Sequence, residues 1–253
     1  MTTMLKLNGI TKVFGGLTAL EDVSFAVERG SITGVIGPNG AGKTTLFNIV
    51  TGLYTQTAGN VILDGKNISF LETERLASLG LVRTFQNVEL FRQMTVLENV
   101  MVGLHTKSKS GIFSCAFRLP GQIKEEKNIR EKSREWLEFT GLADMADLTA
   151  GSLPFGKGRL LEISRALAAK PKIILMDEPA AGLNSRETVQ LASLIRKISQ
   201  SGVTVVLVEH DMDLVMDVCQ SIVVLNLGKK LAQGTPREIQ ENAEVIAAYL
   251  GDG

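Results

Sequence analysis

The chemistry of this 253-residue chain is densest in GPNGAGKTT, Gly37 to Thr45. Gly37 to Thr44 satisfy the pattern Gly-x-x-x-x-Gly-Lys-Ser/Thr, whose glycines let successive backbone N–H groups point inward around phosphate oxygens. Gly37, Gly40 and Gly42 provide the backbone angles, with Pro38, Asn39 and Ala41 between them. Lys43 is placed to reach terminal phosphates and Thr44 to hold magnesium, while Thr45 lies in the first turn of a helix whose positive dipole end faces the anion. The same residues could form a plain glycine-rich turn, but a chance match in a chain of this length is on the order of one in a hundred. A second element, IILMDEPAAGLN (Ile173 to Asn184), puts Asp177 and Glu178 where an apolar strand ends. Beside a phosphate loop in a parallel sheet, Asp177 suits magnesium, directly or through water. Glu178 suits a general base that polarises an attacking water. Without the loop, the pair would read as two solvated carboxylates.

Several elements must position these groups. Period-two alternation at Leu5 and Leu7, at Val23, Phe25 and Val27, and at Val61 and Leu63 predicts half-buried, antiparallel strands. Ser31 to Ile36 predicts the strand that feeds the glycine loop, and LFNIV the helix that leaves it. Leu81 to Phe85 reads as another strand, and the Thr95-x-x-Glu98 capping box starts a helix through Val100 and Leu104. The charge-rich stretch Gln122 to Phe139 reads as helical, within an insert of roughly residues 88 to 165. Buried-strand runs at Ile173 to Met176, Val203 to Val208 and Ile222 to Leu225 then alternate with helical segments such as Ser185 to Ser199, which implies a parallel sheet. Thr235, Pro236 and Glu238 combine an N-cap, a first-turn proline and a capping-box acid, so a terminal helix begins there.

Composition excludes other classes. Lys+Arg and Asp+Glu are both 27, a formal charge of zero that disfavours a nucleic-acid coat. With 44% hydrophobic and 21% charged residues the chain is globular rather than disordered. Its apolar runs fall far short of the ~20 residues that cross a bilayer, and Met1 to Lys12 has no signal-peptide core. A soluble, intracellular protein is expected, with Cys115 and Cys219 as free thiols.

Taken together, these motifs resemble the nucleotide-binding subunit of ATP-binding-cassette transporters over essentially the whole chain. The resemblance implies an α/β fold of the P-loop NTPase type, with ATP and Mg2+ as cofactors. Its core, residues 1–87 and 166–253, would hold a mixed, largely parallel sheet and an N-terminal antiparallel β subdomain. An inserted α-helical subdomain, residues 88–165, would carry the family's signature segment. Phe14, in KVFGG, sits where the family stacks a ring on adenine, although position alone reads equally as a strand-end core residue. Gln86 matches a glutamine that contacts magnesium and water; by position it reads equally as a loop amide. His210, after VTVVLVE, matches the histidine that contacts the terminal phosphate, whereas His105 has no such context. In place of the signature Leu-Ser-Gly-Gly-Gln this chain has LPFGK, of which Leu153 and Gly156 agree. Pro154 offers neither a hydroxyl nor an N–H, so Gly156, the helix dipole and Lys157 are expected to keep the contact with a phosphate bound across a dimer. Asn184 replaces the aspartate usual after Gly182 and Leu183.

AAGLN, Val208 to Met216, GTPREI and the ending AAYLG look most like the ATPase subunits of branched-chain amino-acid importers, whose relatives serve urea or amide uptake and lipopolysaccharide export. The implied partners are multi-span permease subunits docking on the helical insert, a second ATPase subunit in a head-to-tail dimer, and indirectly a solute-binding protein. The implied location is the cytoplasmic face of the inner membrane, with no nucleic acid bound. A non-transport cassette acting in translation, DNA repair or chromosome organisation would bring a second cassette, long heptads or basic arms. A P-loop kinase or GTPase would not require the signature helix, Glu178 after Asp177, or His210.

Overall fold

The computed structural model describes residues 2–84, 89–105 and 120–250. Contacts divide the chain into two units, Met1–Gln86 with Lys172–Gly253, and Asn87–Pro171. The helix Phe155–Ala168 is continuous, so the division falls after it rather than at residue 165 as expected from the sequence.

The first unit contains two sheets. In the antiparallel one, β1 (Thr3–Phe14), β2 (Leu17–Glu28), β4 (Ala58–Leu63) and β5 (Lys66–Asn67) lie in the order β2-β1-β4-β5. The alternating residues lie across from one another: Leu5 opposes Val27 and Leu63, and Leu7 opposes Phe25 and Val61, which stacks one apolar face into the core. The larger sheet is β3 (Ile32–Ile36), β6 (Leu81–Thr84), β7 (Ile173–Asp177), β8 (Thr204–Val208), β9 (Ser221–Asn226) and β10 (Lys229–Gly234), in the order β10-β9-β3-β8-β7-β6. Every pairing is parallel except that of β10 with β9. β3, β7 and β8 are buried at every position, as largely apolar strands of a parallel sheet covered on both faces are.

Local signals fix the helices beside these strands. Asn184 is the N-cap of the helix Ser185–Gln200: its side chain accepts the N–H groups of Arg186 and Glu187, and Glu187 accepts the Asn184 N–H at 3.0 Å. The residue that departs from the usual aspartate therefore has a structural task here. Thr235 and Glu238 make the same reciprocal box at the helix Pro236–Gln240.

Among the described residues the second unit packs three α-helices, Val96–His105, Pro120–Thr140 and Phe155–Ala168. Val96, Val100, Leu137, Leu142, Leu161 and Ile163 are buried in it. Within the third helix the fully buried Arg159 is matched by Glu162 at 2.9 Å. Asn99 is also buried, and its amide bonds Phe91 N–H, Phe91 C=O and Thr95 C=O, tying the approach loop to the first helix. No described helix is long and apolar enough to cross a membrane.

The box that starts the first helix makes a pH-dependent contribution. Glu98 accepts the Thr95 N–H at 2.7 Å and its hydroxyl at 2.9 Å, and these bonds hold its carboxyl below the ordinary value. A depressed folded-state pKa gives stability that is present above the unfolded value of 4.5 and is lost as pH falls through the folded one. Glu98→Gln is therefore expected to lower the urea midpoint at pH 7, and the gap from the parent chain to close as the pH is brought well below 4.5. Urea titrations across that range check it.

Candidate functional site

The glycine loop runs from the end of β3 into the helix Lys43–Val50, and it is wedged between two strands. A Cβ on Gly37 would lie 2.1 Å from the Leu225 carbonyl of β9. One on Gly42 would lie 2.6 Å from Leu20 Cδ2 and 2.9 Å from the Ala19 carbonyl of β2. The hairpin that joins β9 to β10 closes the arrangement, with Gly228 N–H donating to Ala41 C=O at 3.2 Å. Lys43 is buried, and its ammonium donates to the carbonyls of Gly37 at 2.6 Å and Pro38 at 2.9 Å. Burial pushes its pKa down, while the nearby charges of Glu178 and Asp177 pull it up. Residues 39–45 line a cavity of about 440 Å³, together with Leu17, Leu227, Glu178 and His210.

Asp177 and Glu178 end β7 on the register that pairs Asp177 with Val208. Glu178 takes the left-handed conformation at φ 46°, and its N–H bonds Val208 C=O at 2.9 Å. A strained non-glycine backbone held in this way aims a side chain that a regular strand would direct elsewhere. Its Oε1 lies 3.1 Å from His210 Nε2, with the two side chains 23% and 46% exposed. A histidine proton on Nε2 would be donated to that carboxylate.

Two residues that did not stand out in the sequence hold these groups. Glu209, 3% exposed, accepts the N–H of Ala180 at 2.7 Å, of His210 at 3.0 Å and of Asp211 at 3.3 Å. It fastens the turn after Glu178 to the turn that carries His210. Burial raises its pKa against the pull of those three N–H groups. Arg83, on β6, donates to Asp177 Oδ2 at 2.5 Å and to Asn48 Oδ1 at 2.7 Å. The available signal was a charge in an otherwise buried strand and an acid directly after one.

The expected site residues do not all converge. Asn39, Gly40, Ala41, Gly42, Lys43, Thr44, Thr45, Glu178 and His210 share one cavity wall. Gly37 and Pro38 lie directly behind it as partners of Lys43. Phe14 is not in that wall; it is exposed at the end of β1, edge-on to Tyr54 with centroids 5.4 Å apart and with Lys12 Nζ 4.7 Å above its ring. Leu153, Gly156 and Lys157 belong to the second unit, where Pro154 is the N-cap of the helix that holds Gly156 buried in its first turn. Gln86 lies outside the described residues.

The donors present fit magnesium, a hard cation that takes oxygen ligands. They are the Asp177 carboxylate and the Thr44 hydroxyl, and both Asp177 and Glu178 act electrostatically on Lys43, the neighbour of Thr44. Among the described residues no group of three His, Cys, Asp or Glu could hold a metal, so the carboxylate and hydroxyl need further oxygen ligands, as phosphate and water supply.

The loop geometry ranks its glycines. An alanine at Gly40 meets nothing within 4 Å and is expected to cost about 1–2 kcal/mol, the strain of its positive φ alone. An alanine at Gly37 must also displace the Leu225 carbonyl, for about 3 kcal/mol or more and loss of phosphate binding. Denaturant titrations and binding of a fluorescent nucleotide check this order.

Comparison with known proteins agrees with the geometry. A family model described as ABC transporter matches residues 20–181, and one described as branched-chain amino acid ATP-binding cassette transporter matches residues 229–253. The chain is 46% identical over 250 residues to the high-affinity branched-chain amino acid transport ATP-binding protein BraF of Pseudomonas aeruginosa, covering 98% of each chain. It is similar to a solved ATP-binding cassette of an ABC transporter in its ADP conformation, with 34% identity, a TM-score of 0.87 and coverage of 99% of this chain and 100% of that one. A dimeric post-hydrolysis cassette bound to ADP and Pi is 28% identical, with a TM-score of 0.77 over 92% of this chain and 99% of that one. With the phosphate loop, Glu178 and His210 in one wall, and with these matches along its length, the chain belongs to the ABC transporter family of ATP-binding cassettes.

Proposed function

We propose that this chain is the ATP-hydrolysing subunit of a membrane transporter that imports branched-chain amino acids. The observation that carries the hydrolytic reading is the 3.1 Å contact between Glu178 Oε1 and His210 Nε2 in the cavity wall shared with Lys43 and Thr44. Lys43 and the inward amides of residues 37–45 bind the phosphates, with the Lys43 ammonium exchanging its loop carbonyls for phosphate oxygens. Thr44, Asp177 and Gln86 hold magnesium. When bound, that ion neutralises phosphate charge. Glu178 orients and deprotonates the attacking water, and His210, restrained through Glu209, steadies the transferring phosphate. Phe14 stacks on the adenine from beside the cavity.

Leu153, Gly156 and Lys157 of one cassette serve the phosphate bound by a second cassette, and ATP drives the closure of that head-to-tail pair. The helical unit docks on multi-span permease subunits at the cytoplasmic face of the inner membrane, and a solute-binding protein delivers the cargo to them. The match of residues 229–253 and the likeness to BraF support branched-chain amino acids as that cargo. Zero formal charge supports the absence of a nucleic-acid role.

Glu178→Gln is expected to lower turnover by about 10²–10⁴-fold while ATP binding remains, and to accumulate a closed dimer with ATP on size exclusion. Normal turnover in that variant removes Glu178 from its role. The cargo is tested in the reconstituted permease complex: a binding protein loaded with leucine, isoleucine or valine stimulates hydrolysis, and one loaded with urea does not.

A further inference from the structure

We infer that Arg83 is a charge placeholder at the magnesium site: it neutralises Asp177 while no nucleotide is bound, so that this carboxylate takes a metal only together with phosphate. The inference rests on the proposed assignment of Asp177 to magnesium and concerns how that site is regulated.

Both partners are nearly enclosed, with side chains 9% and 7% exposed for Arg83 and Asp177. A buried carboxylate is costly without a compensating charge, and a metal that comes and goes with its nucleotide cannot supply one continuously. The Arg83 guanidinium lies 2.5 Å from Asp177 Oδ2 and provides it. Its other side is fixed by a different element. Nη1 donates to Asn48 Oδ1 at 2.7 Å, and the guanidinium carbon lies 5.8 Å from the centre of the Phe47 ring. Asn48 and Phe47 belong to the helix that carries Thr44, so Arg83 is braced by the element that bears the other magnesium donor.

A cation held this way does not swing out when a second one arrives. It occupies one carboxylate oxygen, leaves the other for a metal, and repels a dication at short range. Among the described residues the donors are the Asp177 and Thr44 oxygens, and no three His, Cys, Asp or Glu converge there; Gln86, the third proposed donor, adds no charge. One carboxylate already neutralised by a fixed guanidinium, with only uncharged oxygens beside it, does not retain a strongly hydrated ion, whereas the same donors with phosphate oxygens added do. Magnesium and nucleotide therefore enter together, and the empty cassette stays metal-free.

The test follows the melting temperature of the full chain during titration with Mg2+ alone, and the Mg2+ concentration needed for ATP binding. In the parent protein Mg2+ without nucleotide leaves the melting temperature unchanged. Arg83→Gln is expected to melt lower than the parent when metal-free, to be restabilised saturably by Mg2+ alone, and to need about tenfold less Mg2+ for ATP binding, the size of a one-unit charge–charge effect. Arg83→Lys keeps the charge and is expected to keep the parental Mg2+ behaviour. Nucleotide-free Mg2+ binding by that variant overturns the inference even if Arg83→Gln fails to fold. An Arg83→Gln chain that melts lower by the same amount with and without Mg2+, at an unaltered Mg2+ requirement, shows a structural brace only and also overturns it. Asp177→Asn separates the two levels. If it leaves the Mg2+ requirement unaltered, the assignment of Asp177 falls and the inference with it; if it raises the requirement while Arg83→Gln changes nothing, the inference alone falls.

Discussion

The backbone of Gly37 lies so close to the Leu225 carbonyl that there is no room for a single methyl group, and the rest of the site depends on that contact. On its other flank the loop meets Ala19 and Leu20 at Gly42, and the β9–β10 hairpin bonds Ala41. Both sheets of the first unit thus grip one nine-residue segment. The antiparallel sheet supplies β2, which forms one jaw of that grip. A phosphate-binding loop gains from such confinement because its N–H groups must already point inward, so that little ordering remains to be done when the anion arrives.

The same loop brings opposite charges together without a ligand, and each has a partner inside the protein. Lys43 rests on two loop carbonyls, Asp177 on Arg83, and Glu178 on His210. A low-dielectric site makes unpaired charges costly, so a fold that must exist both with and without nucleotide needs an internal partner for each one. On binding, Lys43 exchanges its carbonyls for phosphate oxygens while Arg83 stays on Asp177, which keeps the empty state intact and tempers affinity enough for turnover. Glu209 belongs to the same arrangement, since its three N–H bonds hold the His210 and Ala180 turns at a fixed separation.

Signals that act within a few residues were legible in the sequence. The boxes Thr95–Glu98 and Thr235–Glu238, the alternation of β1, β2 and β4 and the apolar runs of β7, β8 and β9 all gave elements close to those observed. The glycine loop and the Asp177–Glu178 strand end were legible for the same reason. What escaped depends on pairing across the chain. β10 reads KKLAQG, with no apolar alternation, and is a strand because a tight hairpin lays it along β9. The task of Arg83 is set by a residue 94 positions away. Asn184 stands out in the sequence only as a departure, because its capping role depends on the backbone of the following turn. Phe14 shows the converse limit: its type and position suggest a ring on the base, and its side chain packs on Tyr54 and is not part of the cavity wall.

The strand order also has a biosynthetic consequence. β3 is made early, yet its two neighbours in the sheet are β8 and β9, near the other end of the chain. A ribosome must therefore add about 170 residues before β3 gains its first lateral partner, and nearly 190 before its second. The second unit is continuous in sequence and complete by Pro171, so it can form while the core that surrounds it in the chain is still waiting. During that interval the five positions of β3, all buried in the finished sheet, and the glycine loop behind them have no sheet to enter. Protecting that short stretch from stray pairing is a demand that falls on the nascent chain alone, and it ends when the last third of the protein emerges.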